Sequence, residues 1–218
     1  MGSGGHLIFA SGTWCELHII QRLIAEAGTV LACDGALDAC MAHGIQVAEV
    51  VGDMDSVSET GLAAHIAGGG EVHPFQGQEN NDLEKALALL EQRGETTCTV
   101  VGATGGDAQH EWANLLACGA SNLDIVCEAP ALAYRFYTAG ASYSIEIEAG
   151  KEFSLFALQH AEGVSLKGVR YPLVDAALSM GSRGLHNVAD SDRFTLSFTS
   201  GRLMLLVPRS SSMKEERT

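Results

Sequence analysis

Two aspartates in the segment VVGDMDSV have a spacing that suits a metal site. Asp53 and Asp55 follow the apolar run Val47–Val51, and residues two apart in an extended chain point the same way. Both carboxylates can therefore face one point, beside the glycine turn at Gly52. Mg²⁺ takes one or two carboxylates and completes its coordination with phosphate and water. The alternative is that both aspartates bond local backbone N–H groups in a turn.

A second acidic group opens a predicted helix in the segment QGQENNDLEKAL. Glu79, Asp82 and Glu84 crowd its start, and acids in a first turn suit the helix dipole. Asn81 with Glu84 three positions later also matches a capping box. Taken alone, this segment favours capping. The functional alternative adds Asp82 and Glu79 to the metal site of the first segment.

Glycine turns follow two further predicted strands. In TCTVVGATGGDAQHEWANLLA, a β-branched strand leads through Gly105 and Gly106 into a helix, a geometry that aims backbone N–H groups at an anion. It is not a Walker A loop, because no Lys-Ser/Thr pair follows. The alternative is a plain helix N-terminal turn with His110 on the surface. In LACDGALDAC, Asp34 precedes Gly35 and a helix, so it could equally be an N-cap.

The elements that must position these residues alternate along the first 128 residues. Short β-branched runs and helical patterns follow one another, which predicts a parallel sheet covered by helices. The predicted strands are His6–Ala10, Val30–Cys33, Val47–Val51, Glu71–Pro74, Thr97–Val101 and Leu123–Cys127, and the clearest helix is Leu83–Gln92. Each polar segment falls at or just after a strand end, and a parallel sheet brings such ends to one edge. Capping alone is a poor explanation for four polar groups on one rim.

The pattern changes after Glu128, where short strands punctuated by glycine follow without a long helical pattern. The predicted strands are Leu132–Thr138, Ser142–Glu148, Glu152–Leu158, Val164–Leu166, Phe194–Phe198 and Leu203–Val207. Such a run predicts a small antiparallel β-sandwich or barrel. The expected organisation is therefore an α/β domain over residues 1–128, a β-sandwich over residues 129–209 and a disordered tail over residues 210–218.

Charge separates the two predicted domains and excludes some partners. The chain of 218 residues has a net charge of −14; residues 1–128 hold 18 acidic and 3 basic residues, and residues 129–218 hold 9 and 10. This balance argues against nucleic acid or anionic lipid as a partner. An acidic domain can still handle an anion if metal ions and backbone N–H groups supply positive charge. The six cysteines lack zinc-ligand spacing, and no signal peptide or membrane-spanning run is present, which predicts a soluble cytoplasmic protein.

Taken together and in order, these residues resemble the thiamine pyrophosphokinase (thiamine diphosphokinase) family. The family pattern runs DGGA, GDFDS, D-x-T-D at the start of a helix, G-x-x-GGRxDH, GLKYPL and finally a G-x-x-x-SN turn. The matching segments here are Asp34–Ala36, Gly52–Ser56, Glu79–Asp82, Gly102–His110, Gly168–Leu173 and Gly184–Asn187. The GDxDS and Tyr-Pro-Leu segments are the most specific of these. The match extends over most of the chain, from Asp34 to Asn187.

The resemblance implies transfer of the diphosphate group of ATP to the hydroxyl of thiamine, giving thiamine diphosphate and AMP. It implies an α/β nucleotide-binding domain followed by a β-sandwich, in a homodimer with thiamine bound between subunits. Asp53, Asp55 and Asp82 would hold Mg²⁺ on the triphosphate, with Asp34 near them. The residues implied at the nucleotide are Gly35, Gly52, Thr104, Gly105 and Gly106. Those implied at thiamine are Tyr171, which would stack on its pyrimidine ring, with Asn187, His186, Gln109, His110 and Glu79.

Several positions depart from the family pattern. Asp107 stands where the family has Arg, Gln109 where it has Asp, and His186 where it has Ser. Losing an Arg near phosphates removes a charge-assisted donor. Two other functions therefore stay open from the sequence: a diphosphotransferase or kinase acting on another small alcohol, and a nucleotide- or thiamine-binding protein whose catalysis has decayed.

Overall fold

The computed structural model describes residues 5–75 and 80–209 and, for the backbone alone, residues 215–217. The chain divides into two compact units, Met1–Pro130 and Ala131–Thr218, which we call unit 1 and unit 2.

Unit 1 is built on a parallel sheet. Its strands are β1 (His6–Phe9), β2 (Thr29–Cys33), β3 (Glu49–Gly52), β4 (Glu71–Pro74), β5 (Thr97–Val101) and β6 (Asp124–Glu128). They pair in the order β4-β3-β2-β1-β5-β6, and every pairing among the described strands is parallel. The predicted α/β class is confirmed, with strand bounds that differ from the prediction by two residues or fewer.

Helices connect these strands and cover the sheet. They are α1 (Leu17–Glu26), α2 (Asp34–Ala42), α3 (Glu59–Ala67), α4 (Asp82–Gln92) and α5 (Ala108–Ala120). Helix α2 packs against α3, and α4 packs against α5. Strand order runs in one direction from β1 to β4 and reverses at β5. Right-handed crossovers therefore place α1, α2 and α3 on one face and α4 and α5 on the other. The reversal makes β1 and β5 the switch point, where open α/β sheets bind ligands.

Unit 2 consists of two antiparallel sheets. Its strands are β7 (Leu132–Thr138), β8 (Ser142–Glu146), β9 (Glu152–Ala157), β10 (Ala161–Lys167), β11 (Leu173–Leu178), β12 (Asn187–Val188), β13 (Arg193–Ser197), β14 (Arg202–Pro208) and β15 (Glu215–Arg217). One sheet has the order β12-β9-β14-β7, and the other has the order β11-β10-β13-β8-β15. Inward side chains of the two sheets form one core, in which the rings of Phe153 and Phe194 stack 4.4 Å apart. The predicted β-sandwich is confirmed.

Three short strands of unit 2 were not among the sequence predictions. Strand β11 alternates weakly in hydropathy, and β12 has two residues, too few for a pattern. Strand β15 lies in the stretch 210–218 that was expected to be disordered. The structure differs there, because the backbone of β15 pairs with β8 at a sheet edge. Residues 210–214 and 218 lie outside the described part of the chain.

All six cysteines lie in the described part of the chain, where they are buried and form no disulfide, as the sequence suggested. Within the described residues, no helix is both long and apolar enough to cross a membrane.

Candidate active site

Three aspartates from different segments meet at the carboxyl edge of the parallel sheet. Asp34 begins α2 directly after β2, Asp53 follows β3, and Asp82 begins α4. One carboxylate oxygen from each lies within 4.8 Å of the others. The prediction that strand ends would gather these side chains is therefore met for this trio, which we call the aspartate cluster.

Asp34 is the buried member of the aspartate cluster. Its Oδ1 accepts the N–H of Gly35 at 2.6 Å, and its Oδ2 accepts the N–H of Met54 at 2.9 Å. Burial, together with the hydrogen bond and the negative charge of Asp82, raises the pKa of Asp34 to about 6. The capping position of α2 belongs to Cys33, so the N-cap interpretation of Asp34 is wrong.

Gly52 makes room for the Asp34 carboxyl group. A Cβ at this position would lie 2.6 Å from Cγ of Asp34 and 2.8 Å from its Oδ2. Contacts of that length do not occur between such atoms, so a side chain at Gly52 would displace Asp34. Gly52, which the sequence marked as a turn residue and the resemblance placed at the nucleotide, thus sets the position of a site carboxylate.

Asp55 lies beside the aspartate cluster rather than in it. The expectation that Asp53 and Asp55 point the same way assumed an extended chain, but Met54 between them has φ +68°. The Met54 N–H donates to Oδ2 of Asp34 at 2.9 Å, and the Ser56 hydroxyl donates to Oδ1 of Asp55 at 2.9 Å. The backbone N–H of Asp55 bonds Asp53 and is the main cause that holds the pKa of Asp53 below its usual value.

Lys85 is a site residue that the sequence analysis missed. Its side chain is 8% exposed, and its Nζ lies 2.8 Å from Oδ1 of Asp82, one helical turn away. Burial alone would lower the pKa of Lys85, but the bond to Asp82 and the charges of Asp82, Asp53 and Asp34 outweigh burial and raise it. Its three-residue spacing from Asp82 could have indicated this contact. The surrounding sequence, however, predicts an ordinary amphipathic helix.

The aspartate cluster and Lys85 line a cavity of about 620 Å³. Asp55 and Ser56 also line it, and its opposite wall comes from the segments after β1 and β5. The lining residues on that wall include Ser11, Gly12, Gly105, Gly106, Asp107, His110 and Asn114. The cavity therefore joins carboxylates to the switch point of the sheet.

The segment after β1 is a part of this wall that the sequence analysis overlooked. A Cβ at Gly12 would lie 2.5 Å from the carbonyl oxygens of both Gly102 and Thr104. The N–H of Gly12 donates to Gly102 at 2.8 Å, and the N–H of Thr13 donates to Thr104 at 2.7 Å. The segments after β1 and β5 can therefore pack this closely because Gly12 has no side chain.

The glycine turn after β5 is only partly free to bind an anion. The N–H of Gly105 already donates to Oε2 of Glu111 at 2.8 Å. Thr104 is buried, whereas Gly106 is exposed and lines the cavity.

Polar residues at the starts of α4 and α5 divide between capping and the cavity. Asp107, which stands where the family has Arg, caps α5 by accepting the N–H groups of Gln109 and His110. His110 lines the cavity, and Gln109 is not among its lining residues. Asn81 caps α4 by accepting the Glu84 N–H at 2.9 Å, as predicted for this turn. Glu79 lies outside the described residues.

Asn114 is a second residue that the sequence analysis missed. It accepts from the Asn81 side chain at 3.0 Å and donates to the carbonyl of Ala103 at 2.9 Å. It therefore ties the start of α4 to the turn after β5. No pattern in the sequence pointed to it.

In unit 2, Tyr171 presents an exposed ring and Asn187 holds its backbone. Tyr171 is 62% exposed, whereas Asn187 is buried. The Asn187 side chain accepts the Tyr171 N–H at 3.1 Å and donates to the Tyr171 carbonyl at 2.9 Å. This double hydrogen bond leaves Asn187 as a support for Tyr171. His186 is exposed, has φ +54°, and lies 3.4 Å from Glu152.

Comparison with known proteins finds one family model that matches within unit 1 and another that matches within unit 2. The family model described as "Thiamin pyrophosphokinase, catalytic domain" matches residues 20–126. The model described as "Thiamin pyrophosphokinase, vitamin B1 binding domain" matches residues 142–203. The two models together cover most of the chain. The chain belongs to the thiamin pyrophosphokinase family.

Solved structures of this family share the fold. The thiamine pyrophosphokinase from Bacillus subtilis superposes with a TM-score of 0.76 at 21% identity, covering 94% of this chain and 99% of its own. A thiamin pyrophosphokinase family protein from Enterococcus faecalis gives 0.74 at 18% identity, with coverages of 95% and 100%. The enzyme from Candida albicans gives 0.74 at 12% identity, with coverages of 94% and 90%. A search of curated protein sequences finds no significant match.

The reaction of a thiamin pyrophosphokinase is the transfer of the diphosphate group of ATP to thiamine, giving thiamine diphosphate and AMP. The chain carries both the catalytic and the vitamin B1 binding domain, and this is its activity. ATP is accordingly a co-substrate.

Proposed function

We propose that diphosphate transfer takes place at the aspartate cluster of unit 1, with Mg²⁺ held by Asp53, Asp55 and Asp82, as the resemblance implies, and with Asp34 as a further ligand. The observation that carries the proposal is the approach of three carboxylate oxygens to within 4.8 Å at the carboxyl edge of the sheet. Hard carboxylate oxygens are the ligands that Mg²⁺ prefers, and it shares them with substrate phosphates.

The charge of the site fits a divalent cation. Burial and Asp82 raise the pKa of Asp34 to about 6, which shows that negative charge there is poorly compensated. Among the described residues lining the cavity, Lys85 is the one with a permanent positive charge, and it is already bonded to Asp82. When bound, Mg²⁺ would neutralise charge on the phosphates and orient them for displacement.

Arg93, a second basic residue of unit 1, does not replace the metal. Arg93 forms two hydrogen bonds to the carboxylate of Glu49, at 2.9 and 2.6 Å, and Glu49 lies at the start of β3, opposite the carboxyl edge. Asp107 stands where the family has Arg, and the Asp107 carboxylate caps α5. A triphosphate in the cavity therefore depends on a metal, Lys85 and exposed N–H groups for its neutralisation.

We propose that Tyr171 receives the thiamine ring. Its exposed aromatic face suits a cationic thiazolium or its linked pyrimidine, and the acidic unit 1 attracts a cation. Asn187 would act here by fixing the Tyr171 backbone, and His186 would lie at the rim. Gln109, His110 and Glu79 remain candidate thiamine contacts from the family resemblance.

We further propose a homodimer, in the cytoplasm, with thiamine bound at the subunit interface. Exposed apolar side chains of unit 2, among them Val174, Met180 and Leu185, support an interface there. Six buried cysteines that form no disulfide suit a reducing compartment. The net charge of −14 argues against nucleic acid and anionic membranes as partners. Sedimentation equilibrium of the full chain tests the dimer, and a concentration-independent monomer would contradict it.

The aspartate cluster is tested by Asp53→Asn. Asp53 is exposed, so the fold should tolerate the change, while turnover should fall roughly a thousandfold because transition-state charge loses its neutralisation. AMP and thiamine diphosphate are resolved by chromatography after incubation with MgATP and thiamine. Glu59→Gln, in the exposed first turn of α3, is the matched control. Near-normal turnover in Asp53→Asn would refute the metal assignment.

Asp55→Asn then decides the membership of the metal set. The family resemblance makes Asp55 a ligand, and we expect its loss to abolish turnover as well. Normal turnover in Asp55→Asn, with loss in Asp53→Asn, would remove Asp55 from the metal set and leave Asp34, Asp53 and Asp82 as the ligands.

A further inference from the structure

Asn114 connects two segments of unit 1 that border the cavity at the aspartate cluster. Its Oδ1 accepts the side-chain N–H of Asn81 at 3.0 Å, and its Nδ2 donates to the carbonyl of Ala103 at 2.9 Å. Asn81 directly precedes Asp82 at the start of α4, and Ala103 precedes the glycine turn after β5. Asn81 and Asn114 also line the cavity. One side chain therefore joins the aspartate side of the cavity to its opposite wall.

The backbone at both ends fixes the direction of these hydrogen bonds. The Glu84 N–H can only donate, so Asn81 must present its oxygen there, at 2.9 Å, and its NH₂ group to Asn114. The Ala103 carbonyl can only accept, so Asn114 must present its NH₂ group there and its oxygen to Asn81. Each amide therefore has one orientation that satisfies both of its contacts. Removing either side chain breaks the connection between α4 and the turn.

The turn itself is fixed on its neighbours. Glu111 accepts the Gly105 N–H at 2.8 Å, and the Thr104 carbonyl accepts the N–H of Thr13 at 2.7 Å. Glu111 and Asn114 are three residues apart and lie on the same side of α5. Because the turn is held on α5 in this way, the bond between Asn114 and Asn81 sets the start of α4 relative to the turn.

The start of α4 carries two charged residues of the site. Asp82 is its first residue, and the Nζ of Lys85 lies 2.8 Å from the Asp82 carboxylate. The backbone N–H of Lys85 donates to the Asn81 carbonyl at 3.1 Å, so Asn81 belongs to the same helical turn. A shift of Asn81 therefore moves one carboxylate of the aspartate cluster. A displacement of about 1 Å in a reacting group can lower a rate about a hundredfold.

We propose that Asn114 is a positioning residue for diphosphate transfer, an inference that rests on the function proposed above. Through Asn81 it fixes the distance between Asp82 and the glycine turn. Asn114 supplies no charge and moves no proton. Its loss should lower kcat and the affinity for Mg²⁺, and it should leave the KM for thiamine unchanged.

A double-mutant cycle between the two asparagines tests the proposal. Asn81→Ser keeps a good N-cap for α4, but its shorter side chain does not reach Asn114. Asn81→Ser and Asn114→Ala should each lower kcat about tenfold, measured as AMP and thiamine diphosphate formed. The double variant should be no slower than Asn114→Ala, because the same connection is already broken.

Two results of the cycle would overturn the proposal. The first is a loss in the double variant of about a hundredfold, the product of the two single effects. The second is a loss in Asn114→Ala with normal kcat in Asn81→Ser, which would make Asn114 a direct substrate contact.

Ser121→Ala is the matched control for a general loosening of the two helices. The Ser121 hydroxyl donates to Oε1 of Glu91 at 2.6 Å and so ties α5 to α4 at the ends opposite Asn81 and Asp107. Ser121→Ala should lower the Tm about as much as Asn114→Ala does, and it should leave kcat unchanged. An equal fall of kcat in both variants would show that Asn114 only holds the helices together, and the proposal would be wrong.

Calorimetric titration with Mg²⁺ alone gives a readout that does not depend on turnover. Asn81→Ser and Asn114→Ala should each weaken Mg²⁺ binding about tenfold, as is typical when a residue that orients a metal ligand is removed. Ser121→Ala should bind Mg²⁺ like the parent. Parental Mg²⁺ affinity in both asparagine variants would contradict the proposal. If instead the proposed function fails, Asp53→Asn keeps its turnover, so the two failures are distinguishable.

Discussion

Units 1 and 2 position their polar site residues in different ways. In unit 1, parallel strands all end at one edge, so side chains at successive strand ends converge and the aspartate cluster forms. In unit 2, antiparallel strands end at alternating edges, and Tyr171 and His186 stand instead on connections between strands. Unit 1 also carries most of the acidic residues.

The difference shows what each arrangement requires for stability. Convergent carboxylates repel one another, and unit 1 offsets this with one buried cation, Lys85, and with two N–H groups on Asp34. An exposed aromatic on a loop has no such repulsion but lacks packing, and unit 2 holds Tyr171 through the buried amide of Asn187. We therefore expect unit 1 variants to respond to Mg²⁺ and unit 2 variants not to.

Lys85→Met gives the largest expected effect. Removing one partner of a largely buried ion pair leaves Asp82 uncompensated beside Asp34 and Asp53, and we expect the free energy of unfolding to fall by about 3 kcal/mol. Mg²⁺ should recover part of this loss, because it supplies the missing positive charge. Thermal unfolding with and without Mg²⁺ measures both. If the free energy of unfolding falls by the same amount with and without Mg²⁺, the expected response of unit 1 variants to Mg²⁺ is contradicted.

Gly52→Ala should destabilise the protein by about 2 kcal/mol, because the new Cβ overlaps the Asp34 carboxyl group. Turnover should also fall sharply as Asp34 is displaced. Chemical denaturation and the AMP assay measure the two effects. Gly44→Ala is the control, since φ is +68° there but a Cβ would meet no atom within 4 Å. Equal losses of turnover in both variants would show that backbone strain alone explains the result.

Asn187→Ala should cost about 1.5 kcal/mol of stability, because it leaves the Tyr171 N–H and carbonyl without their buried partner. It should raise the KM for thiamine more than the KM for ATP. Unlike the change at Lys85, its effect on unfolding should be independent of Mg²⁺. Thr195→Ala, at an exposed position of β13 with no proposed role in thiamine binding, is the control. If Mg²⁺ restores the stability of Asn187→Ala, the expectation that unit 2 variants do not respond to Mg²⁺ is contradicted.

The pH dependence of metal binding sharpens the account of unit 1. The pKa of Asp34 is raised to about 6, so the carboxyl group holds a proton below that pH in the metal-free protein. Mg²⁺ needs the carboxylate and must displace this proton, so its affinity should fall by up to about tenfold per pH unit below pH 6. Calorimetric titration in buffers of different ionisation enthalpy counts the released proton. An affinity that is constant from pH 7 to about pH 5 would contradict Asp34 as a ligand.

Tyr171→Ala should change stability least, by less than about 0.5 kcal/mol, because the ring is mostly exposed. The KM for thiamine should nevertheless rise about tenfold with loss of stacking, while the KM for ATP stays the same. Tyr171→Phe keeps the ring and should behave as the parent. Equal changes in both KM values would remove Tyr171 from the thiamine site.

Much of the site was predictable because chain topology and local spacing decide it. Asp34 and Asp53 directly follow recognisable strands, and Asp82 begins a recognisable helix after the next strand. The parallel order of the strands brings these segments to one edge of the sheet. The N-cap role of Asn81 is a local pattern, and the structure has it. The role of Asp55 as a ligand stays a prediction, but its extended-chain argument does not apply here, because Met54 adopts φ +68°.

Other features depend on contacts between segments distant in sequence. Asn114 joins α4 to the segment after β5, and Gly105 donates to Glu111 rather than pointing freely at an anion. Likewise residues of α1 and α2, among them Ile20 and Ala39, line one cavity of about 410 Å³ together with Trp14. Single sequence positions carry no trace of such contacts.

The sequence by itself determined the fold class, the two units, their charge difference and the family, because periodicity, composition and motif order are local properties of the chain. Only the tertiary structure decided that Asp34 is buried beside Asp82, that Lys85 lies against them and that Asn187 fixes Tyr171. Burial and electrostatic coupling depend on distances in space, and those distances arise only when the segments pack.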